Sequence, residues 1–302
     1  MIYQPGTKVT DRLAEYAKYF PFVELNFTYH RMPAARMVEA MVQRAPGMRF
    51  SVKASPCFTH ARNAGAEDFA EYRAGIAPLL QADVLLAVLL QFPHSFHLSA
   101  KHLAWIKYVG EGLQGLPLVI EFRSHEWMDS RARLLLEGLN IGWCAVDQPR
   151  LEGLMPPKAA LTSQVAYVRF HGRNGTHWWE HEESWERHDY LYPASELAEW
   201  MHQIEHMVES VPNTVLVFDN VCWGQGIENA QMLTDMLPDH LKAHAVLLDP
   251  PLWISTVASR PAGIAAHYAR REAARRKKSG EGPGSTGSDG GPGGSQLGLD
   301  ID

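Results

Sequence analysis

Seven short runs of apolar, β-branched and aromatic residues recur along the chain, and helical patterns fall between them. The runs are FVELNFT (22–28), MRFSVKA (48–54), VLLAVLLQF (84–92), PLVIEFR (117–123), IGWCAVD (141–147), VAYVRFHG (165–172) and TVLVFDN (214–220). Helix-forming stretches lie near 34–44, 66–80, 99–109, 129–138, 194–210 and 226–236, and DRLAEYAKY (11–19) reads as a helix before the first run. Strands that alternate with helices cannot pair as hairpins. Each helix carries the chain back to start the next strand in the same direction, so the class is α/β with a parallel sheet. Such a sheet either closes as a barrel or stays open and doubly wound.

The strand ends decide between these two. Nearly every run finishes in polar or ionisable side chains: Glu24 and Asn26, Lys53, Gln91, Glu121 and Arg123, Asp147, Arg169 and His171, then Asp219 and Asn220. An open sheet gathers its site at one crevice, whereas a (β/α) barrel draws on the carboxyl ends of all its strands. Polar groups on almost every strand therefore predict a TIM-barrel-like parallel barrel with its site at the C-terminal mouth. Within YVRFHGRNG, Arg169, His171 and Arg173 fall two apart, so a continuous strand would set them on one face. An interior charge is costly unless paired. The cations Lys53, Arg123, Arg169 and Arg173 thus require the acids Glu24, Glu121, Asp147 and Asp219, or an anionic ligand. The plainer alternative is a self-satisfied ion-pair network with no chemistry.

Net charge of −6 and a pI near 6.2 argue against a broadly basic nucleic-acid surface. The first residues lack the order of a secretory signal, and no apolar run is long enough to span a membrane. Cys57, Cys144 and Cys222 are far apart, without metal-ligand spacing, which points to reduced thiols in a cytoplasm. Composition divides the chain into a barrel domain (1–260), a basic helical extension (261–278) and a Gly/Ser/Pro-rich tail (279–302) expected to be disordered. The extension, rich in arginine and lysine, is the one place where nucleic acid would be a partner; a solvated helix is the simpler reading.

Seven segments resemble, in order, the YecE-like family (domain of unknown function 72): VELNFTYHRMP, RFSVKASPCFTH, LLQFPHSF, VIEFRSHEW, AVDQP, YVRFHGR and FDNVCWGQGIENA. The resemblance implies a TIM-barrel-like fold and a pocket, but no reaction. It sets Glu24, Asn26, Lys53, His60, Gln91, Glu121, Arg123, Trp127, Asp147, Arg169, His171, Arg173, Asn220 and Asn229 at the family's recurring polar or aromatic positions. Three features depart from it. Asp219 stands where the family more often has asparagine, and His30 stands at a tyrosine-like position. The glycine-rich first strand of family members has no counterpart here. Seven family strands are therefore expected, with the first missing or replaced; a late start codon, a second chain, or HAVLLD (244–249) as a substitute strand would each account for it.

Three functional readings follow. The first is binding of, or acid–base chemistry on, a small phosphate- or carboxylate-bearing substrate. Glu24, Glu121 and His171 are its candidate catalytic groups. Asn26, Lys53, His60, Gln91, Arg123, Asp147, Arg169, Arg173, Asp219, Asn220 and Asn229 are its candidate binding groups. The loops HGRNG and DNVCWGQG are expected to cradle the anion near a helix N-terminus. The second is metal-dependent phosphodiester hydrolysis, with Glu24, Glu121, Asp147, His171 and His60 as candidate ligands to a divalent ion. Cations on the same face oppose it, so no cofactor is expected. The third is a non-catalytic ligand sensor or degenerate scaffold. The segment HWWEHEESWERHDY (177–190) reads as a Trp- and His-rich lid, Trp127 as a packing residue, and Gln91 as a loop-fixing amide.

Overall fold

The computed structural model of the protein describes residues 6–242. Its seven strands are β1 (Phe22–Leu25), β2 (Arg49–Lys53), β3 (Leu85–Gln91), β4 (Leu118–Glu121), β5 (Gly142–Asp147), β6 (Val165–Phe170) and β7 (Asn213–Phe218). They form one sheet in sequential order, and every neighbouring pair is parallel. Among the helices are α1 (Arg12–Tyr16), α2 (Phe27–His30), α3 (Ala35–Arg44), α4 (Pro56–Thr59), α5 (Ala66–Gln81), α6 (Ala100–Gly112), α7 (Ser130–Leu139), α8 (Ala194–Ala198), α9 (Met201–Ser210), α10 (Gln225–Met236) and α11 (Asp239–Lys242). The helix predicted over 194–210 is two pieces, and the one over 11–19 shortens to a 3-10 turn followed by α1.

Side chains that cross the interior show that the sheet rolls up. Tyr167 on β6 donates its hydroxyl hydrogen to Glu24 on β1 at 2.7 Å, and its oxygen lies 2.7 Å from Ser51 Oγ on β2. Strands five and four places away in the order meet only if the sheet curls into a nearly closed barrel, as predicted. β4, β5 and β6 are buried at every position, while β1 and β7 hold one buried residue each, Leu25 and Val215. β5 and β6 pack outward through Ala145, Ala166, Val168 and Phe170 onto Leu197, Trp200, Ile204, Met207 and Leu233 of the α8–α10 layer.

Alternation then fixes which side chains enter the barrel. On β6, Val168 and Phe170 face the helices, so Tyr167 and Arg169 face the interior. The same parity on β5 sends Ala145 and Asp147 outward and Cys144 inward. Among the described residues no helix is long and apolar enough to cross a membrane. HAVLLD, the basic extension and the Gly/Ser/Pro-rich tail lie outside the described residues.

Candidate functional site

Arg169 is the hub of the barrel mouth. It is 1% exposed. Its guanidinium meets Glu24 Oε1 at 2.8 Å, Glu121 Oε2 at 2.8 Å, Asp219 Oδ2 at 3.1 Å and the Gln91 amide oxygen at 3.2 Å. Groups from β1, β3, β4, β6 and the end of β7 thus converge on one side chain. Burial opposes the charge of Arg169, yet Asp219, Glu24 and Glu121 outweigh it and hold the guanidinium firmly protonated.

Glu121 and Asp219 bracket His171. Glu121 Oε1 lies 3.0 Å from His171 Nε2, and Asp219 Oδ2 lies 3.0 Å from His171 Nδ1. Glu121 also forms an ion pair with Arg123, whose Nε lies 2.8 Å from Oε1, so one carboxylate faces three cationic or imidazole groups. Burial would raise the Glu121 carboxyl; Arg169, then Arg123 and His171, overcome it and hold it well below the usual carboxylate range. Asp219 is held low in the same way, against burial, by Arg169 and by the His171 hydrogen bond. Glu121 and His171 side chains have no solvent exposure, whereas Asp219 is 21% exposed and is the part of this chain of groups that opens to solvent.

On the β1–β2 side, the Lys53 ammonium stands 4.7 Å from the Tyr29 ring centre, and the His60 ring packs edge-on to the same tyrosine. His60 Nδ1 also lies 2.9 Å from Thr59 Oγ1. Thr28 and Tyr72 hydroxyls donate to the Lys53 carbonyl, which fixes the strand end. Lys53 and Arg123 are 8% and 5% exposed. Trp178, buried at 3%, comes from the 177–190 segment and lies over Arg123, with the guanidinium carbon 5.9 Å from the ring centre. Trp179 packs against His94 in the loop after β3. The segment therefore reaches from β6 towards the β3 and β4 ends, as a lid would. His177 and His181 make local contacts within it rather than a ligand pair.

Several expected roles are corrected. The triplet 169–171–173 splits because β6 ends at Phe170 and Gly172 turns the chain with φ +91°. A Cβ at Gly172 would also approach Tyr190 Cβ to 2.8 Å. Arg173 leaves the inner face and makes a paired contact with Asp147 at 2.8 and 2.6 Å, with Glu199 at 3.0 Å. Asp147 faces outward, where it also accepts from Tyr192 Oη and Trp200 Nε1. Neither residue belongs to the mouth. Asn220 and Asn229 hold the lid: Asn229 Oδ1 accepts from Tyr192 N and Asn220 Nδ2, and its Nδ2 donates to Tyr192 O. The expected anion cradle before α10 is also filled by the lid, because Gln225 accepts from Tyr190 N and donates to Asp189. β1 stops at Leu25, so Asn26 stands exposed at the start of α2, without a side-chain capping hydrogen bond, and does not share a strand face with Glu24. Gln91, read from sequence as a loop-fixing amide, points into the interior, where its amide oxygen accepts from Arg169. Trp127 is a packing residue, stacked on Phe96 and Phe122.

The sequence reading missed His188, Tyr167 and Ser51. His188 ends a 3-10 turn in the lid (Ser184–His188), and its Nδ1 lies 2.9 Å from the His171 carbonyl oxygen. Burial pushes its ring down to about 4, with Asp219 partly opposing. Only the lid's return across the mouth brings it there, which no local pattern signals. Tyr167 and Ser51 were accessible by alternation, since each lies two residues before a recognised inner position.

The family model for the protein of unknown function DUF72 matches residues 1–251. The chain is 27% identical over 255 residues to the UPF0759 protein YunF of Bacillus subtilis (strain 168), covering 78% of this chain and 90% of YunF. It is similar to the crystal structure of a DUF72 family protein (TM1631) from Thermotoga maritima MSB8, with 32% identity, a TM-score of 0.71, and coverage of 78% of this chain and 92% of that one. A DUF72 family protein (EF0366) from Enterococcus faecalis V583 has the same fold at 24% identity, TM-score 0.68, over 76% of this chain and 94% of that one. The seven ordered motifs, the nearly closed barrel and the family match agree: the chain belongs to the DUF72 family of proteins of unknown function.

Proposed function

We propose that the barrel mouth binds a small substrate bearing a phosphate or carboxylate group and exchanges a proton with it. The observation that carries this reading is the placement of two nearly buried cations at the ends of β2 and β4, each against an aromatic ring: Lys53 beside Tyr29, and Arg123, paired with Glu121, beside Trp178. A desolvated cation binds an anion more strongly than an exposed one. Of the cations expected to bind the anion, Lys53 and Arg123, with His60 alongside, carry that role in this reading, whereas Arg169 and Arg173 are each held by two or more carboxylates. Asp219, with its solvent access, is the group that meets the substrate. His171, held at both ring nitrogens by carboxylates, orients it.

The test is thermal denaturation of chelator-treated protein with inorganic phosphate, sugar phosphates and small carboxylates. At least one anion should raise the melting temperature of the native chain, and Lys53→Met and Arg123→Met should each abolish that response. If no anion stabilises the protein, or both variants still respond, the anion pocket is refuted.

A further inference from the structure

We infer that His171, His188 and Asp219 form a site for one divalent transition-metal ion at the barrel mouth. The inference shares its location and two side chains, His171 and Asp219, with the anion-binding reading, but it does not use that reading's cations Lys53 and Arg123. One ligand atom from each of the three residues lies within 4.8 Å of the other two. The His171 Nδ1 to Asp219 Oδ2 separation of 3.0 Å already approaches the spacing of two ligands on one ion, each about 2.0–2.2 Å from it.

The second nitrogen of each histidine carries the argument. A metal-ligating histidine almost always donates its other N–H to a carboxylate or a backbone carbonyl, which fixes the ring and its tautomer. Both arrangements are present. His171 Nε2 faces Glu121 Oε1 at 3.0 Å, so an ion seated between Nδ1 and Asp219 would replace the hydrogen bond now made there while Glu121 keeps the ring in place. His188 Nδ1 faces the His171 carbonyl oxygen at 2.9 Å, leaving Nε2. Asp219 shares one oxygen with Arg169 and His171, but a carboxylate has lone pairs on two oxygens and can serve a guanidinium and a metal together.

Two imidazoles and a carboxylate are a donor set suited to zinc, and to iron(II) or manganese(II) as competitors. Three protein ligands leave a position open, so an anionic oxygen of the substrate can complete the sphere. Of the ligands expected from sequence, only His171 belongs to this set; His188 comes from the lid. Metal binding would thereby tie lid closure to the barrel.

Tag-free full-length protein, stripped with a chelator and dialysed against Zn2+, should retain about one equivalent by elemental analysis, as a single three-residue site predicts. It should also melt at a higher temperature. His188→Gln and Asp219→Asn should each weaken retention by at least about tenfold, and Glu121→Gln, which removes an orienting partner, by about 10–100-fold. Co2+ bound by the native chain should give the intense visible bands of a four- or five-coordinate site, a readout that does not depend on whether a variant folds. The inference is overturned by a native chain that takes up no Zn2+, by folded ligand variants that retain it as before through adventitious binding, or by a Co2+ spectrum like that of the hydrated ion. Anion stabilisation of the chelated protein without metal uptake removes this inference alone. Metal uptake without any anion response supports it and removes only the proposed function.

Discussion

Arg169 shows how a single residue organises the barrel mouth. It compensates three carboxylates on strands that share no local sequence, so its loss leaves buried negative charge unpaired. Removing one partner of a buried ion pair costs about 3–5 kcal/mol. Arg169→Met should therefore lower the stability to urea by at least that amount, and loss of less than about 1 kcal/mol would show that the network contributes little. Tyr167→Phe is a gentler probe. It deprives Glu24 and Ser51 of one hydroxyl and should cost about 1–3 kcal/mol, the penalty for a buried polar group left short of a partner. At this scale the sequence was legible where backbone geometry is regular. Polar strand ends placed Glu24, Lys53, Glu121 and Arg169 at the mouth, whereas Gln91, read as a loop-fixing amide, points to Arg169. Alternation failed where the backbone departs from the strand: at Gly172, which turns Arg173 away, and at Leu25, after which Asn26 begins a helix.

Elements were easier to read than residues because each has local signals. Ser99 and Asp129 sit at helix starts, and their side chains accept from His102 N and Arg131 N. Ser99→Ala should destabilise the protein by about 1 kcal/mol, the usual worth of such a cap. Asp129 adds a pH signature. Its hydrogen bonds to Arg131, side chain first and backbone second, hold its carboxyl down at about 2. A carboxyl lowered in the folded state stabilises fully above its unfolded value near 4 and loses that contribution as pH falls through about 2. The melting temperature of the native chain should thus exceed that of Asp129→Asn between pH 5 and 7, and the gap should narrow only in strong acid. A gap that is already closed at pH 4 would contradict the low carboxyl. β7 and β1 were recognised as readily as the inner strands, although each has a single buried residue, because β-branched composition marks a strand without telling how deeply it lies.

At the scale of the whole molecule, the order of strands and the polar ends predicted a barrel, and the geometry agrees. What the sequence did not reveal is the lid's anchorage, since its partners lie 30 or more residues away: Asn220 on Tyr190, and Asn229 on Tyr192. Those asparagines look like binding residues in a linear reading because amides serve ligands and backbone equally well. The difference is testable. Asn229 satisfies Tyr192 N, Tyr192 O and the Asn220 amide, so Asn229→Ala strands three buried groups at the end of the lid. Unsatisfied groups of this kind cost about 1–3 kcal/mol. Because α10 packs on the outer layer rather than inside the barrel, that cost should fall mainly on lid closure, raising the open population by about tenfold or more. Hydrogen exchange of residues 189–192 should quicken accordingly, trypsin should cut sooner after Arg187, and amides of β4 to β6 should stay protected. Uniformly faster exchange across barrel and lid would mean that Asn229 supports the fold as a whole and that the lid has no opening of its own.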